Sequence, residues 1–95
     1  MDYKITDLPN GGKLWEYNDG SKYYYLNNKY HRKDGPAIHS GNCTYWYIDG
    51  KLHREDGPAV EYINNHYIGP GSWWLNDKHV SQKEFERLMK LKAFW

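Results

Sequence analysis

A single cysteine, Cys43, is all that the 95 residues hold, so no internal disulfide is open to this chain. That excludes the disulfide-stapled class of small secreted domains. No run of about 18 apolar residues occurs, so no segment reads as a membrane-spanning helix. Residues 1–12 lack the basic-then-apolar layout of a signal peptide, and a cytoplasmic protein is expected. Neither sign of charge prevails: 13 basic and 12 acidic residues leave a formal net charge of +1. This balance speaks against a protein held to nucleic acid by electrostatics. Aliphatic residues are scarce too. Leu, Ile, Val and Phe together number 16 of 95, a level at which disorder enters. Disorder also needs few aromatics and a high net charge. Here there are 10 Tyr, 5 Trp and 2 Phe, so rings carry the apolar area. The length suits one domain over residues 1–95.

The chain repeats itself. His31-Arg32-Lys33-Asp34-Gly35-Pro36-Ala37-Ile38 returns as His53-Arg54-Glu55-Asp56-Gly57-Pro58-Ala59-Val60, at an offset of 22 residues. The same offset maps Tyr23-Tyr24-Tyr25 onto Tyr45-Trp46-Tyr47 and Leu26-Asn27-Asn28-Lys29 onto Ile48-Asp49-Gly50-Lys51. A third copy opens at Trp73-Trp74-Leu75-Asn76-Asp77-Lys78-His79, after an insertion at Gly69-Pro70-Gly71, and lacks the Asp-Gly-Pro-Ala corner. The units span about 14–39, 40–61 and 62–80. Each reads as strand, turn, strand, because short Tyr/Trp-rich runs are β-prone and bounded by turn residues. Asn27-Asn28, Asp49-Gly50 and Asn76-Asp77 supply the positive φ that two-residue hairpin turns demand. Asp19-Gly20, Gly41-Asn42 and Asn64-Asn65 mark turns at the other strand ends. The expected fold is mainly β, an antiparallel meander of stacked hairpins.

The tail changes period. Ser81 with Glu84 forms a capping box, and Phe85, Leu88, Met89 and Lys92 fall on one helical stripe. A short C-terminal helix is expected over about 82–91, closing one end or face of the sheet. Ala93, Phe94 and Trp95 either pack on the domain or fray.

Strand alternation separates two faces. Tyr24, Leu26, Trp46, Ile48, Trp73 and Leu75 hold the aliphatics and are expected to form the core. Tyr23, Tyr25, Tyr45, Tyr47 and Trp74 form an aromatic ladder on the other face. It serves either as cross-strand ring packing or as a partner-binding surface, since Tyr and Trp are enriched at interface hot spots.

In the recurring motif, Asp34 and Asp56 precede Gly35-Pro36 and Gly57-Pro58 and are expected to hold the turn through local backbone. Arg32 and Arg54 carry forks suited to carboxylate or carbonyl oxygens, and His31 and His53 each offer one donor and one acceptor. A polar corner of this kind would set the spacing between units. Equivalent residues of stacked hairpins lie in a row, so neither a metal site nor a catalytic pair is expected, and no cofactor. Cys43 occupies the position of Ser21 one repeat on and reads as a packing residue.

The pattern Trp46-Tyr47-Ile48-Asp49-Gly50-Lys51-Leu52-His53-Arg54-Glu55-Asp56-Gly57-Pro58-Ala59, with its earlier copy over 24–37, resembles the variant MORN-repeat proteins. Small proteins of tailed phages and large DNA viruses share it, often ending in a Trp-Leu-Asn-x-Lys segment and a short helix, here Trp74-Leu75-Asn76-Asp77-Lys78 and onward. The chain departs from the family at Asn28, where Gly is favoured, and in its third unit. The resemblance implies a β-scaffold without catalytic machinery: a phage protein that binds and inhibits a host or defence protein, for example a CRISPR effector. Two alternatives stand beside it. One is a membrane-surface lipid module using Lys83, Arg87, Lys90 and Lys92 with Phe94 and Trp95; the other is a small-ligand sponge. A homodimer through exposed sheet edges is a further expectation.

Overall fold

The computed structural model describes residues 2–62 and 71–92. The insertion at Gly69-Pro70, the turn at Asn64-Asn65 and the terminal Ala93, Phe94 and Trp95 lie outside the described residues.

The chain is mainly β. Among the described residues, eleven strands are followed by one helix: β1 Tyr3–Asp7, β2 Lys13–Tyr17, β3 Lys22–Leu26, β4 Lys29–Tyr30, β5 Ile38–Ser40, β6 Cys43–Tyr45, β7 Tyr47–Ile48, β8 Lys51–Leu52, β9 Val60–Tyr62, β10 Gly71–Leu75, β11 Lys78–Val80 and α1 Gln82–Lys92. The large sheet is an antiparallel meander ordered β1-β2-β3-β5-β6-β9-β10-β11, with β4 also paired to β3; β7 and β8 form a separate hairpin. The leading β1–β2 hairpin, in register from Tyr3↔Tyr17 to Asp7↔Lys13, precedes the repeats and was not anticipated as a strand pair.

The hairpin turns form where the residues require them. Asn27, Asn28, Asp49, Asn76 and Asp77 have φ between 50° and 67°, and Gly50 has φ 80°. Two consecutive left-handed residues match the twist of the flanking strands, which is why Asn, Asp and Gly stand here.

β4 and β5 both pair with β3, β4 beside Tyr25 and Leu26 and β5 beside Lys22 and Tyr23. They are one strand interrupted by an excursion over 31–37. The excursion is pinched shut at a single residue, Tyr24. Its N–H donates to the Ala37 carbonyl at 2.7 Å, and its carbonyl accepts from His31 N at 3.0 Å. The next unit repeats this at Trp46, whose N–H donates to Ala59 O at 2.7 Å and whose carbonyl accepts from His53 N at 3.0 Å. The His-Arg-x-Asp-Gly-Pro-Ala motif is therefore the loop that leaves and rejoins the strand.

The core differs from the expectation. Tyr24, Leu26, Trp46, Ile48, Trp73 and Leu75 are half-buried, none fully. The buried apolar residues are Ala37, Ile38, Ala59 and Phe85. A sheet that remains one layer thick cannot enclose large side chains, and the least extent of the molecule is 17 Å. Among the described residues, burial is complete only for Ala37 and Ala59, the small residues at the pinch points.

Candidate functional site

The described chain has two dissimilar faces. On one, Arg32 lies over the ring of Tyr24, with Cζ 4.1 Å from the centroid, and Arg54 lies over Trp46 at 3.9 Å. Each guanidinium is clamped from below by its own loop. Arg32 Nε donates to Asp34 Oδ1 at 3.1 Å and Nη1 to Pro36 O at 3.2 Å; Arg54 repeats both bonds to Asp56 and Pro58 at 2.7 and 3.1 Å. This corrects one expectation. The aspartates hold the arginines, and the arginines hold the backbone carbonyls. The reach of the fork spans both acceptors, whereas the short carboxylate meets the Nε first. Glycine leaves the guanidinium its place, and a side chain there would displace it. A Cβ on Gly35 would sit 2.8 Å from the Arg32 Cζ, and one on Gly57 2.9 Å from that of Arg54.

The third aromatic in the series is Trp73, which has no motif arginine. Phe85 of α1 takes that place, its ring 6.4 Å from Trp73. The helix caps the array as expected, by substituting a ring for a guanidinium.

The histidines join units. His31 Nδ1 accepts from the N–H of Asp49 at 3.0 Å, and His53 Nδ1 from the N–H of Asn76 at 3.1 Å. Each reaches the left-handed residue of the next hairpin turn. They stand one repeat apart, and among the described residues no group of three or more His, Cys, Asp or Glu gathers as a metal would need.

The opposite face carries rings. Tyr3, Trp15, Tyr17, Tyr23, Tyr25, Tyr30 and Tyr47 form one connected array, with centroids 5.0 to 6.2 Å apart. These are the offset and edge-on separations that aromatic pairs prefer. Of the five candidate residues, Tyr23, Tyr25 and Tyr47 belong to this array. Tyr45 sits between Ile38 and Val60 in register, and Trp74 lies 5.1 Å from His79 and donates its Nε1–H to Ser72 Oγ at 2.8 Å. Tyr3, Trp15, Tyr17 and Tyr30 were missed as members. Trp15 and Tyr17, two residues apart, carry the strand-alternation signal for this face ahead of the repeated motif.

Three hydroxyls, those of Tyr25, Tyr45 and Tyr47, resist ionisation. Tyr25 is pushed up to about 12, first by burial, then by its hydrogen bond with Tyr30 and by neighbouring phenols. Tyr47 is raised by burial, then by Asp77 and Tyr30; Tyr45 is raised by burial, then by Cys43. Two open hollows flank the rings, one of about 700 Å³ lined by Ile5, Lys13, Trp15 and Tyr25, the other of about 350 Å³ lined by Tyr17, Tyr23, Tyr25 and Tyr30.

The cations of α1 are partly engaged: Arg87 donates to Glu84 at 2.6 Å, and Lys92 pairs with Glu55. No helix among the described residues is long and apolar enough to cross a membrane. No family model matches the chain, and no curated protein or solved structure was found to match it.

Proposed function

We propose that this protein is a non-catalytic binding module that occupies a surface of another protein through its tyrosine face. The carrying observation is the seven-ring array across β1, β2, β3, β4 and β7. Tyr and Trp offer large contact area with few rotors to freeze, and their hydroxyls adapt to partner donors and acceptors. Tyr25 stands between Trp15 and Tyr30 within it, and Tyr47 ends it against Tyr30. The likeness of the repeat to variant MORN proteins of phages supports a narrower version: an inhibitor of a host or defence protein, acting in the cytoplasm of an infected bacterium.

The test is affinity capture from bacterial lysate with the wild type and with Tyr25→Ala/Tyr47→Ala. One host protein retained in stoichiometric amount by the wild type and lost with the double variant supports the reading. Equal retention by both, with circular dichroism unchanged, removes the tyrosine face from it.

A further inference from the structure

The two faces differ in what covers their rings. Tyr24, Trp46 and Trp73 are each covered from within the chain, by Arg32, Arg54 and Phe85. Among the described residues, the seven rings of the tyrosine face pack on one another. A one-layer sheet with an aromatic face normally buries that face against a second layer. No second layer exists among the described residues of this chain.

The face is broad enough for a second layer. The molecule measures 46 Å by 34 Å across its two long axes, and a standard interface takes about 800 Å² from each partner.

The chemistry of the face suits its own kind. A two-fold interface sets one patch against an identical patch, so like charges at its centre would repel. The array is neutral, and every tyrosine hydroxyl can both donate and accept. The cation and anion in register on this face, Lys13 and Asp7, pair with each other. The opposite face instead carries its charge in several ion pairs, Lys22 with Glu16, Arg32 with Asp34, and Arg54 with Asp56 and Glu61, which an identical patch would have to meet in matching order. The hollows beside Trp15 and Tyr23 leave room for protruding side chains such as Ile5, which is 44% exposed.

We infer that, without another partner, two copies of this chain pack tyrosine face to tyrosine face as a two-layer sandwich. The inference rests on the tyrosine face being a docking surface, as in the function proposed above. It adds that the resting occupant is a second copy, so that an incoming protein must displace it.

Sedimentation equilibrium of the full chain reads this directly. The expected mass is twice 11.4 kDa, changing little with added salt. Small-angle scattering of the wild type gives the geometry without any variant. A face-to-face dimer keeps the 46 Å length and thickens from 17 Å, whereas pairing through the β1 edge lengthens the particle. Tyr25→Lys and Tyr23→Lys, each with far-ultraviolet dichroism unchanged, are expected to weaken self-association at least about 10-fold, while Lys4→Glu leaves it unaltered. A wild type that stays monomeric at all concentrations, or a lengthened dimer, overturns the inference. A monomer that still captures a protein through Tyr25 and Tyr47 overturns self-association alone. A face-to-face dimer whose Tyr25→Ala/Tyr47→Ala variant captures the same proteins as the wild type upholds self-association and defeats the proposed function.

Discussion

Arg54 lies over the indole of Trp46, its Cζ 3.9 Å from the ring centroid, while its Nη1 reaches Glu61 Oε1 at 2.7 Å. The same carboxylate oxygen accepts from Trp46 Nε1 at 3.3 Å, closing a small ring of contacts. One repeat earlier, His39 stands where Glu61 stands, so Arg32 lacks this third anchor. Arg32 is accordingly more exposed, 31% against 16%.

The two arginines should therefore differ in worth. Arg54→Ala removes a cation–π contact and bonds to Asp56, Pro58 and Glu61, at an expected cost of about 2–3 kcal/mol; for Arg32→Ala about 1–2 kcal/mol is expected. In a domain of this size each kcal/mol moves Tm by roughly 4–8 °C. Arg54→Lys should recover little, because an ammonium cannot span both the Asp56 carboxylate and the Pro58 carbonyl. Calorimetry decides; equal losses at both positions would deny Glu61 its part.

Gly57→Ala is expected to cost about as much as Arg54→Ala, since the new methyl enters the space the guanidinium fills. In an Arg54→Ala background the same substitution should become nearly neutral. A double-mutant cycle with a coupling of about 1–2 kcal/mol would express this. Additive effects would mean that the glycine serves its backbone and not the arginine.

Phe85 is the one aromatic ring among the buried apolar residues of the described chain. Phe85→Ala should cost about 3 kcal/mol in urea denaturation and alter the fluorescence of Trp73. Loss of helix signal with an unchanged sheet transition would show that α1 does not cap the array.

Tyr25, held at about 12, favours the protonated phenol in the folded state. Its contribution to stability is present in full below the ordinary tyrosine value near 10 and declines as pH rises toward 12. Ultraviolet titration should show late phenols, fewer by one in Tyr25→Phe, and stability should fall over this same window. A titration in which all phenols ionise together near 10 would contradict the packed array.

The sequence by itself determined the local pieces. Six turn positions that tolerate left-handed backbone, a 22-residue offset and a capped helical stripe are all short-range facts, and strands, hairpins and helix followed from them. Which face would be covered could not be read that way. Alternation placed the aliphatics with Tyr24, Trp46 and Trp73, and that face is half-buried under arginines and Phe85 instead of forming a deep core. Ring partners were equally hidden: Tyr3 meets Trp15, and Tyr30 meets Tyr47, only once separate hairpins lie side by side. Pairing between hairpins depends on register and on where each excursion is pinched shut. Those are relations between segments distant along the chain, and only the tertiary structure decided them.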